Sequence, residues 1–345
     1  MAYDVALGVE RPRVDENVEI ITRDLTGGEQ DDYKVTIWLD GIRPTNDEVV
    51  VSDSLIIRKP TRADLQERVL DRHAHYWHAL HRSTNFSCIA ELRVRTHRVG
   101  DVQRVIDRHI TALRLFRLGS VSTSRYHVSS ESFSTMSNFA INGREQYGRV
   151  AYQVSSGDAP LLSRFLETVI PAIPSDYEYA PKKPDYMATA LRWYSEAMLA
   201  TAPKEGTVAS AVACLEALFL GDNPSTEIMY RLGQRTALLF RLFGWTPSDT
   251  LAAMKLGYEV RSRYVHGAVA KKLAESEIAD ILQNLCEYAR IGCLIWLQLT
   301  ALYQHRRETL LHTINLALVD DDARERLSQW CSAIQFGRKD QMLSQ

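Results

Sequence analysis

The chain has 345 residues, about twice the length of a typical domain of roughly 150 residues, so two domains are the first expectation. Its 45% hydrophobic and 24% charged residues are typical of a soluble globular protein and exclude wholesale disorder, collagen and coiled coil. The 41 Lys and Arg residues nearly balance the 43 Asp and Glu residues, which leaves a net charge of -2. Because the chain as a whole produces no positive field, any phosphate binding must come from a local cluster.

The cysteines and the apolar stretches favour a protein that stays inside the cell. The five cysteines are far apart and form no C-x-x-C pair, which fits neither a disulfide framework nor a zinc knuckle and favours a reducing cytosol. The N-terminal residues contain acids and no sustained apolar core, unlike a secretory signal. The longest apolar stretch, 291–303, is too short for a membrane span and predicts a buried core helix. We therefore expect a cytoplasmic protein without a membrane partner.

Residues 1–170 predict a mixed α+β domain. Short β-branched runs between Gly-, Asn- and Asp-rich breaks are typical of strands with hairpin-like connections. Such strands are predicted at 18–25, 33–41, 49–59 and 89–99. Thr61 with Asp64 three residues later is typical of a helix start, and helical patterns are predicted for 61–81 and 100–118. Residues 119–160 contain short strand-like pieces and predict no clear order of elements.

A proline-rich stretch, 171–185, separates this domain from an all-α bundle over 186–334. Proline interrupts regular hydrogen bonding and favours extended backbone before it, so we place the domain boundary there. The helices of the bundle are predicted at 186–202, 205–220, 225–244, 247–266, 275–304, 306–318 and 321–334. Glycine and proline between these segments are the residues expected where helices end.

Signatures of the common cofactor and metal enzymes are absent from the sequence. The chain contains no G-x-x-x-x-G-K-[ST], no H-E-x-x-H and no G-x-S-x-G, and we expect no cofactor. Four histidines at near-helical spacing could align for a metal: His73, His75, His78 and His81. Packing residues on the same helix and a single nearby acid, Asp71, favour ordinary surface histidines, so we predict no metal site.

Positive charge is concentrated in one segment near the end of the fourth bundle helix. Between residues 255 and 272 a single acid, Glu259, stands among the basic residues Lys255, Arg261, Arg263, Lys271 and Lys272. An arginine fork can hold a phosphate and a histidine can move protons near neutral pH, so Arg261 with His266 suits phosphodiester chemistry. Gly267 is predicted just past the helix end, which puts His266 at the negative end of the helix dipole. The spacing alone proves little, because residues five apart on an ideal helix lie roughly 140° apart around its axis.

The context of this pair resembles the Apea-like HEPN proteins, prokaryotic members of the HEPN superfamily. The resemblance depends on VRSRYVHG at the end of one helix, preceded by AVACLEALFLG and EIMYRLGQRTALLF on two earlier helices. It covers about residues 186–318, and SLIIRKPTRADL and ITALRLFRLGSV add weaker similarity in the first half.

The resemblance implies a HEPN-type bundle that forms a homodimer, with two Arg/His motifs facing each other across a cleft. It implies a metal-independent endoribonuclease of defence, toxin-antitoxin or stress response that cleaves RNA through its 2′-OH. Arg261 would bind the scissile phosphate, His266 would transfer a proton or orient the 2′-OH, and Glu216 would orient the arginine. The predicted substrate-binding residues are Ser262, Arg263, Tyr264, Lys271 and Lys272. RNA and a second copy are the expected partners, and an antitoxin or a defence-system protein is a further partner class.

Several alternatives stay open at this level. Ser262 stands where active members often have Asn, Asp or His, which favours a non-catalytic HEPN module for RNA or nucleotide binding or for dimerisation. Alternatively, the N-terminal domain performs the function, in sensing or substrate selection, and the bundle is a scaffold. In structural terms, Arg261 and Glu216 could be a salt bridge between helices and His266 a helix cap. The aromatic residues Trp193, Tyr230 and Tyr264 could stack bases or belong to the core.

Overall fold

The chain forms two compact units, which are described separately. The computed structural model describes residues 30–64, 87–130, 134–138, 151–174, 185–199, 203–221, 227–267, 275–304 and 306–339. The first unit takes its described residues from those up to Ile110, from Val121–Gly143 and from Ala151–Ser163. The second takes Thr111–Ser120 and the described residues from Arg164 onward. The predicted strand at 18–25, most of the predicted helix at 61–81 and most of the proline-rich stretch lie outside the described residues.

The first unit is built on an antiparallel sheet of six strands in the order β3-β4-β5-β1-β6-β7. These strands are β1 (Asp31–Asp40), β3 (Glu48–Ser52), β4 (Leu55–Arg58), β5 (Cys88–Thr96), β6 (Ser122–Ser129) and β7 (Ser134–Asn138). Two short strands, β2 (Ile42–Pro44) and β8 (Tyr152–Val154), pair in parallel beside it. An antiparallel sheet region therefore opens the chain, as the α+β prediction requires.

Long-range pairing sets the centre of the sheet. Strand β1 pairs with β5, with Val35 opposite Leu92 and Ile37 opposite Ala90. These apolar residues alternate with more exposed neighbours along β1, the pattern that places one face of a strand in the core. The sequence predicted the strands but suggested hairpin-like connections throughout. Among the described strands, β3–β4, β4–β5 and β6–β7 pair as successive strands, whereas β1 inserts between β5 and β6.

The predicted helix start at Thr61 has the geometry of a capping box. Asp64 accepts hydrogen bonds from the Thr61 backbone N–H at 2.7 Å and from the Thr61 hydroxyl at 2.6 Å, and the Asp64 N–H donates back to Thr61 Oγ1. Asp64 also pairs with Arg58 at 2.7 Å. The hydrogen bonds from Arg58, with those from Thr61, outweigh burial and hold the pKa of the Asp64 carboxyl well below its usual range.

Within the described part of the chain, helices α1 (Val99–Phe116) and α2 (Ala159–Val169) are followed by seven helices of the second unit. These are α3 (Tyr186–Leu199), α4 (Lys204–Phe219), α5 (Ile228–Arg241), α6 (Pro247–Val265), α7 (Glu275–Tyr303), α8 (Arg307–Leu316) and α9 (Asp321–Ser332). Their bounds fall within three residues of the predicted ones. The agreement has a local cause. Proline is favoured at the start of a helix, as in α6, and glycine is favoured where the chain takes a positive φ after a helix, as at Gly244 and Gly267.

Helix α7 forms the core of the bundle. Its Trp296 is fully buried and meets the rings of Phe219 and Tyr186 edge-on at 5.7 and 5.8 Å. Glu277–Tyr303 is long and apolar enough to cross a membrane, but 78% of its most apolar window is buried inside the protein. The prediction of a buried core helix at 291–303 is confirmed, whereas the cytoplasmic location stays a prediction.

Two polar side chains of α7, Gln298 and Arg290, have partners inside the bundle. Gln298 donates to the carbonyls of Leu294 and Phe336 and accepts from two backbone N–H groups of the segment after α9. Arg290, 1% exposed, pairs with Glu287 and donates to the carbonyls of Leu115 and Phe116 at the end of α1. These bonds explain how polar side chains are tolerated on a core helix.

Candidate functional site

The candidate site lies at the C-terminal end of α6. The helix ends at Val265, His266 is its C-cap, and the His266 N–H donates to the Ser262 carbonyl at 3.1 Å. Gly267 follows with φ +64°, a conformation that glycine adopts without the penalty a Cβ would impose. Gly267 therefore occupies the position past the helix end that the sequence predicted, and His266 is exposed to solvent there.

Close helix packing fixes the position of α6. A Cβ placed on Gly257 would lie 2.4 Å from Leu285 Cδ1 on α7 and 3.2 Å from Val212 Cγ2 on α4. Real Cβ atoms cannot approach that closely, so the absence of a side chain lets three helices meet at this point. Arg261 stands one turn further along α6, which places its guanidinium beside α4.

Arg261 and Glu216 form an ion pair between α6 and α4. Arg261 Nη2 lies 2.8 Å from Glu216 Oε2, and the two side chains are 29% and 16% exposed. Burial raises the pKa of the Glu216 carboxyl above its usual value, and the charge of Arg261 opposes that rise. The guanidinium also lies over the ring of Tyr258, with 5.8 Å between Cζ and the ring centroid. The structure thus brings together two of the three residues predicted as catalytic.

An open cavity of about 680 Å³ borders this ion pair. Helix α6 contributes Arg261 and Tyr264 to its wall, and α3 contributes Arg192 and Trp193. Small residues of α4 line the same space: Gly206, Ala209, Ser210 and Ala213. Glu196 of α3 adds a carboxylate, so the cavity combines two guanidinium groups, one carboxylate and two aromatic rings in a space large enough for a small organic ligand.

The other predicted substrate-binding residues are distributed around the helix end. Arg263 forms an ion pair within α6 with Glu259, one turn earlier. Neither Ser262 nor His266 is among the residues that line the cavity. Lys271 and Lys272 lie outside the described residues, and so do His73, His75, His78 and His81. Within the described residues, no group of three or more His, Cys, Asp or Glu side chains is arranged to hold a metal ion.

The contribution of α3 was only partly visible in the sequence. Trp193 was singled out as an aromatic residue, but Arg192 and the cavity itself were not predicted. The available signal was the small residues at 206, 209 and 213, whose spacing puts them on one face of a helix and leaves room opposite them. Only the tertiary structure shows that α3 and α6 line the cavity next to that face of α4.

The cysteines do not contribute to the site. All five are free and buried: Cys88, Cys214, Cys286, Cys293 and Cys331. Cys214 and Cys293 lie 3.5 Å apart, Sγ to Sγ, between α4 and α7, and burial raises the pKa of the Cys214 thiol well above its usual value. Buried thiols of this kind are packing residues.

In comparisons with known proteins, no family model matches the chain, and no curated protein or solved structure matches it.

Proposed function

We propose that the protein is a metal-independent endoribonuclease of the HEPN type. The observation that supports this most directly is the position of the Arg261–Glu216 pair, which holds a guanidinium on the wall of an open cavity. An arginine that is anchored by a carboxylate and still 29% exposed keeps donors for a phosphate. The similarity of VRSRYVHG and its flanking helices to the HEPN proteins supplies the reaction class.

In this proposal the substrate provides its own nucleophile. The 2′-oxygen attacks the neighbouring phosphorus, the bond from phosphorus to the 5′-oxygen breaks, and the products are a 2′,3′-cyclic phosphate and a 5′-OH. Arg261 neutralises the charge that develops on the phosphate oxygens, and Glu216 holds the guanidinium in position. His266 moves the proton that leaves the 2′-OH or the one that the 5′-oxygen takes up.

A second copy of the chain completes the site. His266 is exposed at the end of α6 and Arg261 points into the cavity, so one protomer does not gather the two side chains in one pocket. In a homodimer with α6 near the two-fold axis, each cleft would contain groups from both copies. The proposed substrate is RNA and the proposed location is the cytoplasm. The resemblance to HEPN proteins favours defence, toxin or stress response as the biological setting.

The test measures cleavage of labelled single-stranded RNA with EDTA and, in parallel, with a divalent metal. Arg261→Ala and His266→Ala should each lower the rate by about 100-fold or more, in the range seen when one electrostatic or acid–base group is removed. Arg326→Ala, which removes an exposed arginine on α9, is the matched control and should cut at the wild-type rate. Cleavage that survives Arg261→Ala and requires a divalent metal would contradict the proposal.

The second candidate function is a non-catalytic HEPN module that binds RNA or a nucleotide. The specific observation in its favour is that His266 is absent from the wall of the cavity that Arg261 lines. This candidate predicts RNA binding that depends on Arg261, no product with any RNA, and no effect of His266→Ala on affinity. The same set of variants therefore separates the two functions.

A further inference from the structure

We propose that the cavity beside Arg261 is a subsite for one unpaired nucleotide of single-stranded RNA, with its base stacked on Trp193 and Tyr264. The inference rests on the proposed function for the identity of the polymer. The proposal adds Trp193 and Tyr264 as positioning residues. It also specifies the substrate: the base that binds must be unpaired and able to unstack from the neighbouring bases.

The exposed aromatic residues of the second unit point to this space. Among the described residues, the exposed large aromatic side chains are Trp193, Tyr230 and Tyr264. Two of these, Trp193 at 43% and Tyr264 at 46% exposure, line one cavity from different helices. Two exposed rings that line the same cavity can bind a planar ligand between them, and nucleic-acid bases stack on aromatic side chains in this way.

Small side chains of α4 leave room in the cavity for a ring. Gly206, Ala209 and Ala213 are spaced by three and four residues on α4, so they share one face of that helix. None of them extends beyond a methyl group. The volume of about 680 Å³ falls within the roughly 300–1,000 Å³ typical of small-molecule sites, which is sufficient for one nucleotide.

The charges of the cavity fit an anionic ligand at one end. Two arginines, Arg192 and Arg261, and one acid, Glu196, line it, which leaves an excess of positive charge. Each guanidinium can donate to a phosphate or a ribose oxygen. Ser210, whose hydroxyl donates to the Gly206 carbonyl at 3.1 Å, adds a polar edge near the floor. With Arg261 on the phosphate, a base between α3 and the end of α6 would be the one adjoining the scissile bond.

The test uses a single-stranded RNA hexamer with 2′-O-methyl riboses, which cannot be cut through a 2′-OH. We expect Trp193→Ala and Tyr264→Ala each to weaken its binding about tenfold, the loss typical of one stacked base. Trp193→Phe and Tyr264→Phe should restore most of the affinity, because the ring remains. Tyr230→Ala removes an exposed ring on α5, outside the cavity, and should bind like the wild type.

Light scattering on the same samples separates this subsite from a surface that joins two copies. Unchanged dimer content with weaker hexamer binding supports the proposal. Wild-type affinity in Trp193→Ala, or a loss of affinity that follows a loss of dimer, overturns it. If the wild type binds the hexamer through these rings but never cuts unmodified RNA, the subsite stands and the ribonuclease proposal fails. If cleavage depends on Arg261 and is unchanged by Trp193→Ala and Tyr264→Ala, the ribonuclease proposal stands and the subsite fails.

Discussion

The carboxylate of Glu216 is partly buried and forms an ion pair with the more exposed guanidinium of Arg261. The pKa of Glu216 is raised by burial, so its contribution to stability is complete below its unfolded pKa of about 4.3 and declines as pH rises through the higher folded value. Glu216→Gln removes that decline. We expect the variant to gain stability relative to the wild type as pH rises above the unfolded pKa of about 4.3, measured by urea unfolding. A relative loss over this range would show that the ion pair with Arg261 dominates.

The same variant tests the positioning role of Glu216. Glutamine keeps the size of the side chain but gives up the charge that holds the guanidinium at 2.8 Å. We expect RNA cleavage to fall about tenfold while the fold is retained, since charge-assisted hydrogen bonds are roughly twice as strong as neutral ones. Glu259→Gln, which removes the partner of Arg263 on the same helix, is the control. Equal activity of Glu216→Gln and wild type would remove Glu216 from the site.

Asp64 gives the first unit an opposite dependence on pH. Its folded pKa is depressed by the hydrogen bonds from Arg58 and Thr61, so its stabilising contribution is present above the unfolded pKa of about 3.9 and is lost as pH falls below it. Asp64→Asn should therefore be less stable than the wild type at neutral pH, by about 1 to 3 kcal/mol for a half-buried charged network. The difference should shrink in acid. A constant difference from neutral to acid pH would exclude ionisation of Asp64 as its cause.

At the scale of elements, the contact at Gly257 holds α6 against α4 and α7. Gly257→Ala places a methyl group 2.4 Å from Leu285, and we expect a loss of about 1–3 kcal/mol in the free energy of unfolding. Leu285→Ala in the same chain should recover part of it. Gly100→Ala on α1, where the new methyl group meets nothing within 4 Å, is the control. Wild-type stability in Gly257→Ala would mean that the helices are not packed as described.

The elements differ in how far the sequence predicts them. Helix bounds in the bundle were predictable because Pro247, Gly244 and Gly267 act locally on the backbone. The capping box of Thr61 and Asp64 is local for the same reason. The order of the sheet was not predictable. Strand β1 pairs with β5 far along the chain, from Leu39 opposite Cys88 to Asp31 opposite Thr96, and a local pattern contains no information on the partner.

At the scale of the whole molecule, the candidate site was predictable in its chemistry and not in its shape. Glu216 and Arg261, separated along the chain, were both identified through the resemblance to HEPN proteins, and the fold places them in contact. The cavity needs three helices to form, and Arg192 on α3 enters it only through packing. Residues that belong to a motif can be identified in the sequence, whereas residues that reach the site only through tertiary packing cannot.

The chemistry of the product ends tests the central claim most directly. The purified wild-type protein is incubated with single-stranded RNA and with the same strand carrying 2′-O-methyl groups, both with EDTA, and the ends of any fragments are mapped. The proposal predicts 2′,3′-cyclic phosphate and 5′-OH ends from the RNA and no cleavage of the methylated strand. Fragments with 3′-OH and 5′-phosphate ends, cleavage of the methylated strand, or intact RNA with a folded dimer would contradict it.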